Sequence, residues 1–155
     1  MSSCRHLQFE TLAEAVEEAR RLHENGYVAE GNWSLAEMLD HLTGAMRASR
    51  EGFDPSVKPV HPLVRFLLSR LTWWWWIQVR SRLPRNVPAP PAMAPAADLD
   101  EAEALTAFER EVEAVSDWDG PWSRHPFFGV LSESDWRRFH RIHAAHHLAC
   151  LTPES

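Results

Sequence analysis

Near its end the chain contains the stretch Phe139-His140-Arg141-Ile142-His143-Ala144-Ala145-His146-His147-Leu148. Four of the nine histidines lie within the eight residues from His140 to His147. Because His143 and His147 are one helical turn apart, their imidazoles project from one face and can bind the same ion. Four histidines on one amphipathic helix are also difficult to satisfy with separate hydrogen bonds. The stretch therefore predicts a terminal helix with a metal site.

A third ligand must come from elsewhere in the chain. The best candidate is His41, which lies in a second predicted helix, Ser34 to Ser49. Ser34 followed three residues later by Glu37 is the pattern of a capping box, which marks the start of this helix. Neutral imidazoles suit zinc, nickel, iron or copper, so the pattern does not choose among these metals.

The helix faces that contain these histidines are otherwise small or apolar. The face of His41 also holds Met38, Gly44, Ala45 and Ala48, and the face of His143 and His147 also holds Trp136, Phe139, His140 and Cys150. Such faces point inward and allow another helix or a substrate to approach closely. Two histidine-containing core faces in one small domain indicate a metal held between helices.

Spacing alone leaves other ligands open. His140 and His146 are each three residues from His143, which also suits chelation. A single inward histidine such as His41 is more often a hydrogen-bonded core residue. His125 is another candidate ligand, but it precedes a proline, is held extended and can bond nearby backbone, so we expect a structural role.

Three side chains are candidates for auxiliary catalytic roles. Glu37 lies one turn before His41 and could orient it or act as a base, although the capping box already accounts for it. His140 and His146 could transfer protons near neutral pH.

The composition predicts one globular domain, residues 1–155, with 45% hydrophobic residues. A chain of this size can bury a core without disulfides. Its two cysteines, Cys4 and Cys150, lie near opposite ends and predict no disulfide framework. With no apolar run after a basic start, the chain is expected to be cytoplasmic. Cys150 could become a fourth ligand, but we expect a buried, inert thiol.

The net charge of −6 argues against a nucleic-acid partner, which requires a positive field. A basic patch is still possible in the middle of the chain, where Arg65, Arg70, Arg80, Arg82 and Arg85 surround the run Trp73-Trp74-Trp75-Trp76.

Four consecutive tryptophans cannot all face one core, because successive helical residues step by about 100°. The expected inward stripe is Val64, Leu67, Leu68, Leu71 and then Trp74 or Trp75. Trp73 and Trp76 then face the opposite side, where the following loop or a homodimer contact is expected to cover them, with a substrate or a membrane surface as the alternatives. Residues 64–79 are short of the roughly 20 apolar residues of a spanning helix, so membrane contact is expected only at an interface, if at all.

The remaining pattern predicts an all-α fold without strands. Helices are expected from Thr11 to about Asn25, from about Pro62 to Arg82, from Asp100 to Ser116, and from Ser132 or Ser134 to the end of the histidine stretch. Leu105, Phe108 and Val112 are expected to point inward. Pro84 to Ala97 contains five prolines and is expected to be an extended loop or lid.

Several short motifs, in this order and spacing, resemble a branch of the DinB-like (DinB/YfiT-type) superfamily over nearly the whole chain. They are Arg5-x-x-x-Phe9, Asn32-Trp33-Ser34, Asp40-His41-Leu42, His125-Pro126-Phe127-Phe128-Gly129, Trp136, and the run from His143 to Leu148. The resemblance implies a four-helix bundle with one long crossover. It also implies one divalent metal (Zn, Ni, Fe or Mn) bound by His41, His143 and His147. Many relatives have glutamine where this chain has Cys150.

The resemblance further implies an activity. Members of this superfamily include transferases and isomerases that use small thiols such as bacillithiol, mycothiol or glutathione, in which the metal binds the sulfur and lowers its pKa. Three neutral histidines leave coordination positions for water or substrate. We therefore expect a metal-dependent enzyme of small-thiol or related hydrolytic chemistry. The alternative is a non-catalytic, metal-stabilised bundle that dimerises or binds a ligand through its Trp-rich helix.

Overall fold

The computed structural model describes residues 4–58, 61, 63, 71, 73–79, 83 and 90–154, without the side chains of Trp76 and Val79. Within this part the fold is mostly helical, as the sequence predicts. Its main elements are α1 (Leu12–Asn25), β1 (Tyr27–Ala29), α2 (Leu35–Glu51), α3 (Glu101–Ser116), α4 (Glu133–Leu148) and β2 (Leu151–Pro153). A π-helix, Trp73–Val79, and a 3-10 turn, Pro91–Met93, lie between α2 and α3.

The helices begin where the capping residues predict. Ser34 and Ser132 each form a capping box with the acidic residue three positions later, and Thr11 and Asp100 cap α1 and α3. Of the two candidate starts of the last helix, Ser132 is the cap. Local hydrogen bonds between side chain and backbone thus fix the starts of α2 and α4, the helices that contain the candidate metal ligands.

The main core lies between the four α-helices. Leu22 of α1, Leu39 of α2, Phe108 of α3 and Leu148 of α4 are fully buried in it. The predicted inward residues of α3, Leu105, Phe108 and Val112, are all buried. A second apolar cluster contains Ile77, Leu131, Trp136, Phe139 and Ile142.

Two short strands contradict the expectation of a fold without strands. β1 and β2 pair antiparallel, with Tyr27 opposite Pro153 and Ala29 opposite Leu151. Each strand has only three residues, too few for an alternating pattern to show in the sequence. The pairing joins the segment before α2 to the segment after α4.

The two cysteines form a disulfide, so the prediction of an unpaired, inert Cys150 thiol is wrong. Their separation of 146 residues hid the pairing. The N-terminal segment runs along the end of α4, where the amide of Arg5 donates to the carbonyl of Ala149 at 2.8 Å. The disulfide also removes the argument for a reducing compartment, which depended on two unpaired cysteines.

The tryptophan run does not follow the predicted stripe. Trp73 packs on Phe128 and Phe139, with ring centroids 4.9 and 6.4 Å apart. Trp74 and Trp75 are instead 57% and 46% exposed, and Leu71 is also exposed. The prediction assumed α-helical steps, whereas the wider turn of a π-helix rotates these side chains to other faces.

Other predictions for this region lie outside the described residues. They concern most of the helix from Pro62 to Arg82, the five arginines around the tryptophans, the side chain of Trp76 and the first part of the proline-rich loop. Across the part of the chain that the structure describes, no helix has the length and apolar character needed to span a bilayer.

Candidate metal centre

Three histidines from two helices converge at the centre of the bundle. His41 extends from α2, and His143 and His147 extend from successive turns of α4. The Nε2 atom of His143 lies 3.2 Å from Nε2 of His41 and 3.1 Å from Nε2 of His147. All three ligand atoms lie within 4.8 Å of one another. The structure thus brings together the three residues that the sequence nominated, although His41 and His143 are 102 positions apart in the chain.

The spacing of these nitrogens fits a common metal ligand set. Two nitrogens bound to one zinc ion at about 2.05 Å with tetrahedral angles lie about 3.3 Å apart. The two short nitrogen-to-nitrogen distances in the cluster are close to this value. Imidazole lone pairs at these two distances repel unless a proton or a cation lies between them. A single divalent cation would satisfy all three nitrogens at once.

The other ring nitrogen of His41 fixes its tautomer. Its Nδ1 lies 2.7 Å from the carbonyl oxygen of Met93, which can only accept a hydrogen bond. Nδ1 therefore holds the proton, and the Nε2 lone pair faces His143 and His147. An imidazole anchored in this way to a backbone carbonyl is a frequent second contact of metal-binding histidines.

His143 is anchored differently. Its Nδ1 is buried and has no hydrogen-bond partner among the described residues. On the Nδ1 side, packing rather than a hydrogen bond orients the ring, which lies 5.3 Å from the ring of Phe139.

The surroundings disfavour the charged form of all three imidazoles. Burial lowers the pKa of His41 below its ordinary value. The pKa values of His143 and His147 are lowered further, first by burial and then by the neighbouring histidines. A metal ligand must be deprotonated, so these pKa shifts favour binding of a cation over binding of protons.

An indole covers one side of the cluster. Trp33 stacks on His147 with ring centroids 5.6 Å apart and lies 5.2 Å from the ring of His41. It directly precedes Ser34, the cap of α2, so the capping box also positions this indole. The aromatic wall keeps the immediate surroundings of the nitrogens apolar.

A cleft of about 290 Å³ opens beside His41. Gly44 and Ala48 of α2 form part of its wall, and Ala92, Met93 and Ala94 form another. A Cβ atom added to Gly44 would meet nothing within 4 Å. The small residues predicted on the His41 face therefore leave room for a small molecule next to the candidate ligand.

In a comparison with family models, residues 1–154 match a family described as a protein of unknown function, DUF1569. The chain belongs to the DUF1569 family. Comparison with curated proteins and with solved structures found no match. The likeness of this DUF1569 protein to the DinB-like superfamily stays a prediction.

The auxiliary candidates of the DUF1569 chain lie outside the three-nitrogen cluster. Glu37 accepts a hydrogen bond from the amide of Ser34 at 2.7 Å and so completes the capping box. His146 lies beside His147, with ring centroids 5.2 Å apart, but does not join the converging ligand atoms.

His140 is fully buried, and its Nε2 lies 3.0 Å from the hydroxyl of Ser49. That hydroxyl donates to the carbonyl of Met46, so it accepts from Nε2 of His140. Burial lowers the pKa of His140 to about 3. The contacts of His140 are those of a neutral core residue.

His125 has the backbone contacts expected of it. Its Nδ1 accepts hydrogen bonds from the amides of Phe127 and Phe128 at 3.1 and 3.2 Å. Burial lowers its pKa to about 3. The imidazole therefore organises the turn that leads into α4.

Sequence analysis missed the contacts that surround the cluster. The carbonyl of Met93 and the indole of Trp33 both touch His41 or its partners, and neither follows from helix periodicity. The signals were indirect. Trp33 belongs to the quoted motif Asn32-Trp33-Ser34. The proline-rich segment was expected to be an extended loop or lid, and residues 92–94 of it line the cleft.

Proposed function

We propose that this DUF1569 protein binds one divalent metal ion through His41, His143 and His147 and acts as a metal-dependent enzyme on a small molecule. The observation that supports the proposal most strongly is the convergence of three neutral imidazole nitrogens at ligand spacing. Buried histidines that serve only the core pair with hydroxyls or backbone groups, as His140 and His125 do.

The proposed chemistry is transfer or isomerisation with a small thiol, or a related hydrolysis. A bound divalent cation would supply a Lewis acid that lowers the pKa of a thiol or a water molecule. Three protein ligands leave coordination positions for such a group. The cleft that His41 lines gives a small molecule a place beside one candidate ligand, and the indole of Trp33 packs on another, His147.

We also propose the DinB-like bundle with its long crossover as the fold. Four helices of at least 14 residues pack around one core, and residues 52–100 connect α2 to α3. The small β1-β2 pairing is an addition at one end of this arrangement.

The test measures metal content and activity in one matched pair of variants. We expect elemental analysis to find about one divalent ion per chain in the wild type and in His146→Ala, but little in His143→Ala. His146→Ala is the control because it removes a histidine from the same helix without touching the converging nitrogens.

Metal-loaded protein is then screened for thiol consumption and ester hydrolysis. We expect His143→Ala to lose the activity of the wild type, with helical circular dichroism unchanged. Failure of the wild type to bind zinc, nickel, iron or manganese overturns the proposal.

A second candidate function is a non-catalytic, metal-stabilised bundle that dimerises through its tryptophan surface. The exposure of Trp74 and Trp75 favours this candidate. If the metal is structural, a chelator should melt the protein, whereas a catalytic site should empty with the fold intact. Sedimentation velocity of wild type and Trp74→Ser/Trp75→Ser distinguishes a dimer from a monomer, and sedimentation with anionic vesicles tests membrane contact.

A cytoplasmic location also stays a proposal, and the disulfide does not favour it. Trapping of free thiols by alkylation in intact cells tests it. Reduced Cys4 and Cys150 would support the cytoplasm, and a fully oxidised pair would contradict it.

A further inference from the structure

Two hydrogen bonds hold the proline-rich segment against α2, and their partners on α2 are the adjacent residues Asp40 and His41. We call residues 90–96 the strap. The carbonyl of Met93 accepts from Nδ1 of His41 at 2.7 Å, and the amide of Ala96 donates to Oδ2 of Asp40 at 3.0 Å. The strap is therefore fastened to α2 at a candidate metal ligand and at the residue immediately before it.

The composition of the strap makes these contacts important. Pro90, Pro91 and Pro95 have no amide hydrogen and cannot donate backbone hydrogen bonds. The backbone hydrogen bonds found within the described part of the strap, Met93 to Pro90 and Ala94 to Pro91, form only a local 3-10 turn. They shape the strap but do not attach it to the bundle.

We propose that Asp40 is a positioning residue of the metal centre, which acts through the strap. By accepting from the amide of Ala96, its carboxylate keeps the carbonyl of Met93 where it accepts from His41. That second contact holds the proton on Nδ1 of His41 and directs the Nε2 lone pair at His143 and His147. The inference rests on the proposed metal site, and it extends that site by a residue that touches no ligand atom.

The hydrogen bond between Ala96 and Asp40 also shapes the proposed substrate cleft. Ala92, Met93 and Ala94 of the strap line the cleft together with Gly44 of α2. Loss of the Asp40 contact should therefore widen the cleft as well as loosen His41.

The experiment measures cobalt(II) binding and the visible absorption spectrum of the bound ion. Asp40→Ala removes the acceptor, and we expect affinity to fall about tenfold with a changed spectrum, as is typical when an outer contact of a metal ligand is lost. Asp40→Asn keeps an acceptor oxygen for Ala96 and should restore both. Glu51→Gln removes one charge from the same cleft without touching the strap and should match the wild type.

Two further measurements separate anchoring from misfolding. Ala96→Pro removes the same hydrogen bond from the donor side and leaves Asp40 intact, so it should weaken cobalt binding to the same degree. Hydrogen exchange should show faster exchange of the Ala96 amide in Asp40→Ala but not in Asp40→Asn.

Wild-type affinity and spectrum in both Asp40→Ala and Ala96→Pro would overturn the inference and leave the proposed metal site standing. Equal weakening in Asp40→Ala, Asp40→Asn and Glu51→Gln would also overturn it, because cleft charge rather than the strap would then control affinity. A wild-type protein that binds no cobalt would overturn the proposed function itself.

Discussion

At the level of single residues, protons and metal compete for the same three nitrogens. His41 is anchored by a carbonyl, whereas His143 and His147 face other imidazoles in an apolar setting. Burial and mutual repulsion both disfavour the charged imidazolium, so both favour the form that can bind a cation.

This competition predicts a metal affinity that changes little in mild acid. Three ordinary histidines of pKa about 6.5 would lose about 50-fold in affinity between pH 7.5 and pH 6.0, because each ligand must first release a proton. The lowered pKa values of the cluster should make the loss of affinity over this range much smaller than 50-fold. Competition titration with a chromophoric chelator, corrected for its own protonation, measures this. A 50-fold loss would contradict the prediction.

The structural histidines predict a different pH effect, on folding. Burial lowers the pKa of His125 and His140 to about 3, against about 6.5 in the unfolded chain. Between these values the unfolded chain binds more protons, so stability falls as pH falls from 6.5 towards 3. Each histidine should remove about 2 kcal/mol from the free energy of unfolding between pH 7 and pH 5.

Urea unfolding at the two pH values tests this with His125→Asn. Asparagine keeps an acceptor for the amides of Phe127 and Phe128 but cannot become charged. The variant should therefore lose about 2 kcal/mol less than the wild type on acidification. Equal losses in the two proteins would show that burial of His125 has no such effect.

At the level of elements, features set by neighbouring residues were predictable, whereas most contacts between distant partners were not. The start of α2 follows from Ser34 and Glu37 alone, and His143 and His147 share a face by helix geometry. The contact of Met93 with His41 spans 52 positions and has no local pattern. The directions in which Trp73 and Trp74 point depend on a π-helix. The residue types alone do not specify its hydrogen-bond register.

The wall of the cleft gives a prediction about α2. Gly44 lies inside the helix, where alanine is favoured over glycine by about 1 kcal/mol, and an added Cβ meets open space. Gly44→Ala should therefore raise the free energy of unfolding by up to about 1 kcal/mol. Gly44→Phe should fill the cleft and lower activity while leaving metal affinity unchanged.

Urea unfolding measures the stability of both variants, metal titration measures their affinity, and an activity assay tests Gly44→Phe. Loss of metal affinity in Gly44→Ala would show that the helix moves when a side chain is added. Full activity in Gly44→Phe would show that substrate does not use the cleft.

At the level of the whole molecule, Cys4 and Arg5 meet the end of the helix that contains His143 and His147. Arg5 donates to the carbonyl of Leu148 and pairs with Glu18 of α1 at 2.6 Å. A cation at the C-terminus of α4 is favourable to the helix dipole. The Cys4–Cys150 bond closes the chain at this point, three residues beyond His147.

The disulfide should therefore contribute to global stability more than to the metal centre. A bond that closes a loop across 146 residues restricts the unfolded chain and stabilises the fold by up to about 5 kcal/mol. Cys4→Ser/Cys150→Ser should lose stability of this order in urea unfolding, and should bind cobalt with wild-type affinity, because neither sulfur belongs to the nitrogen cluster. The same variant is needed for any thiol screen. Wild-type protein consumes thiol by disulfide exchange alone, so only turnover that persists in the double variant and disappears in His143→Ala can be assigned to the metal centre.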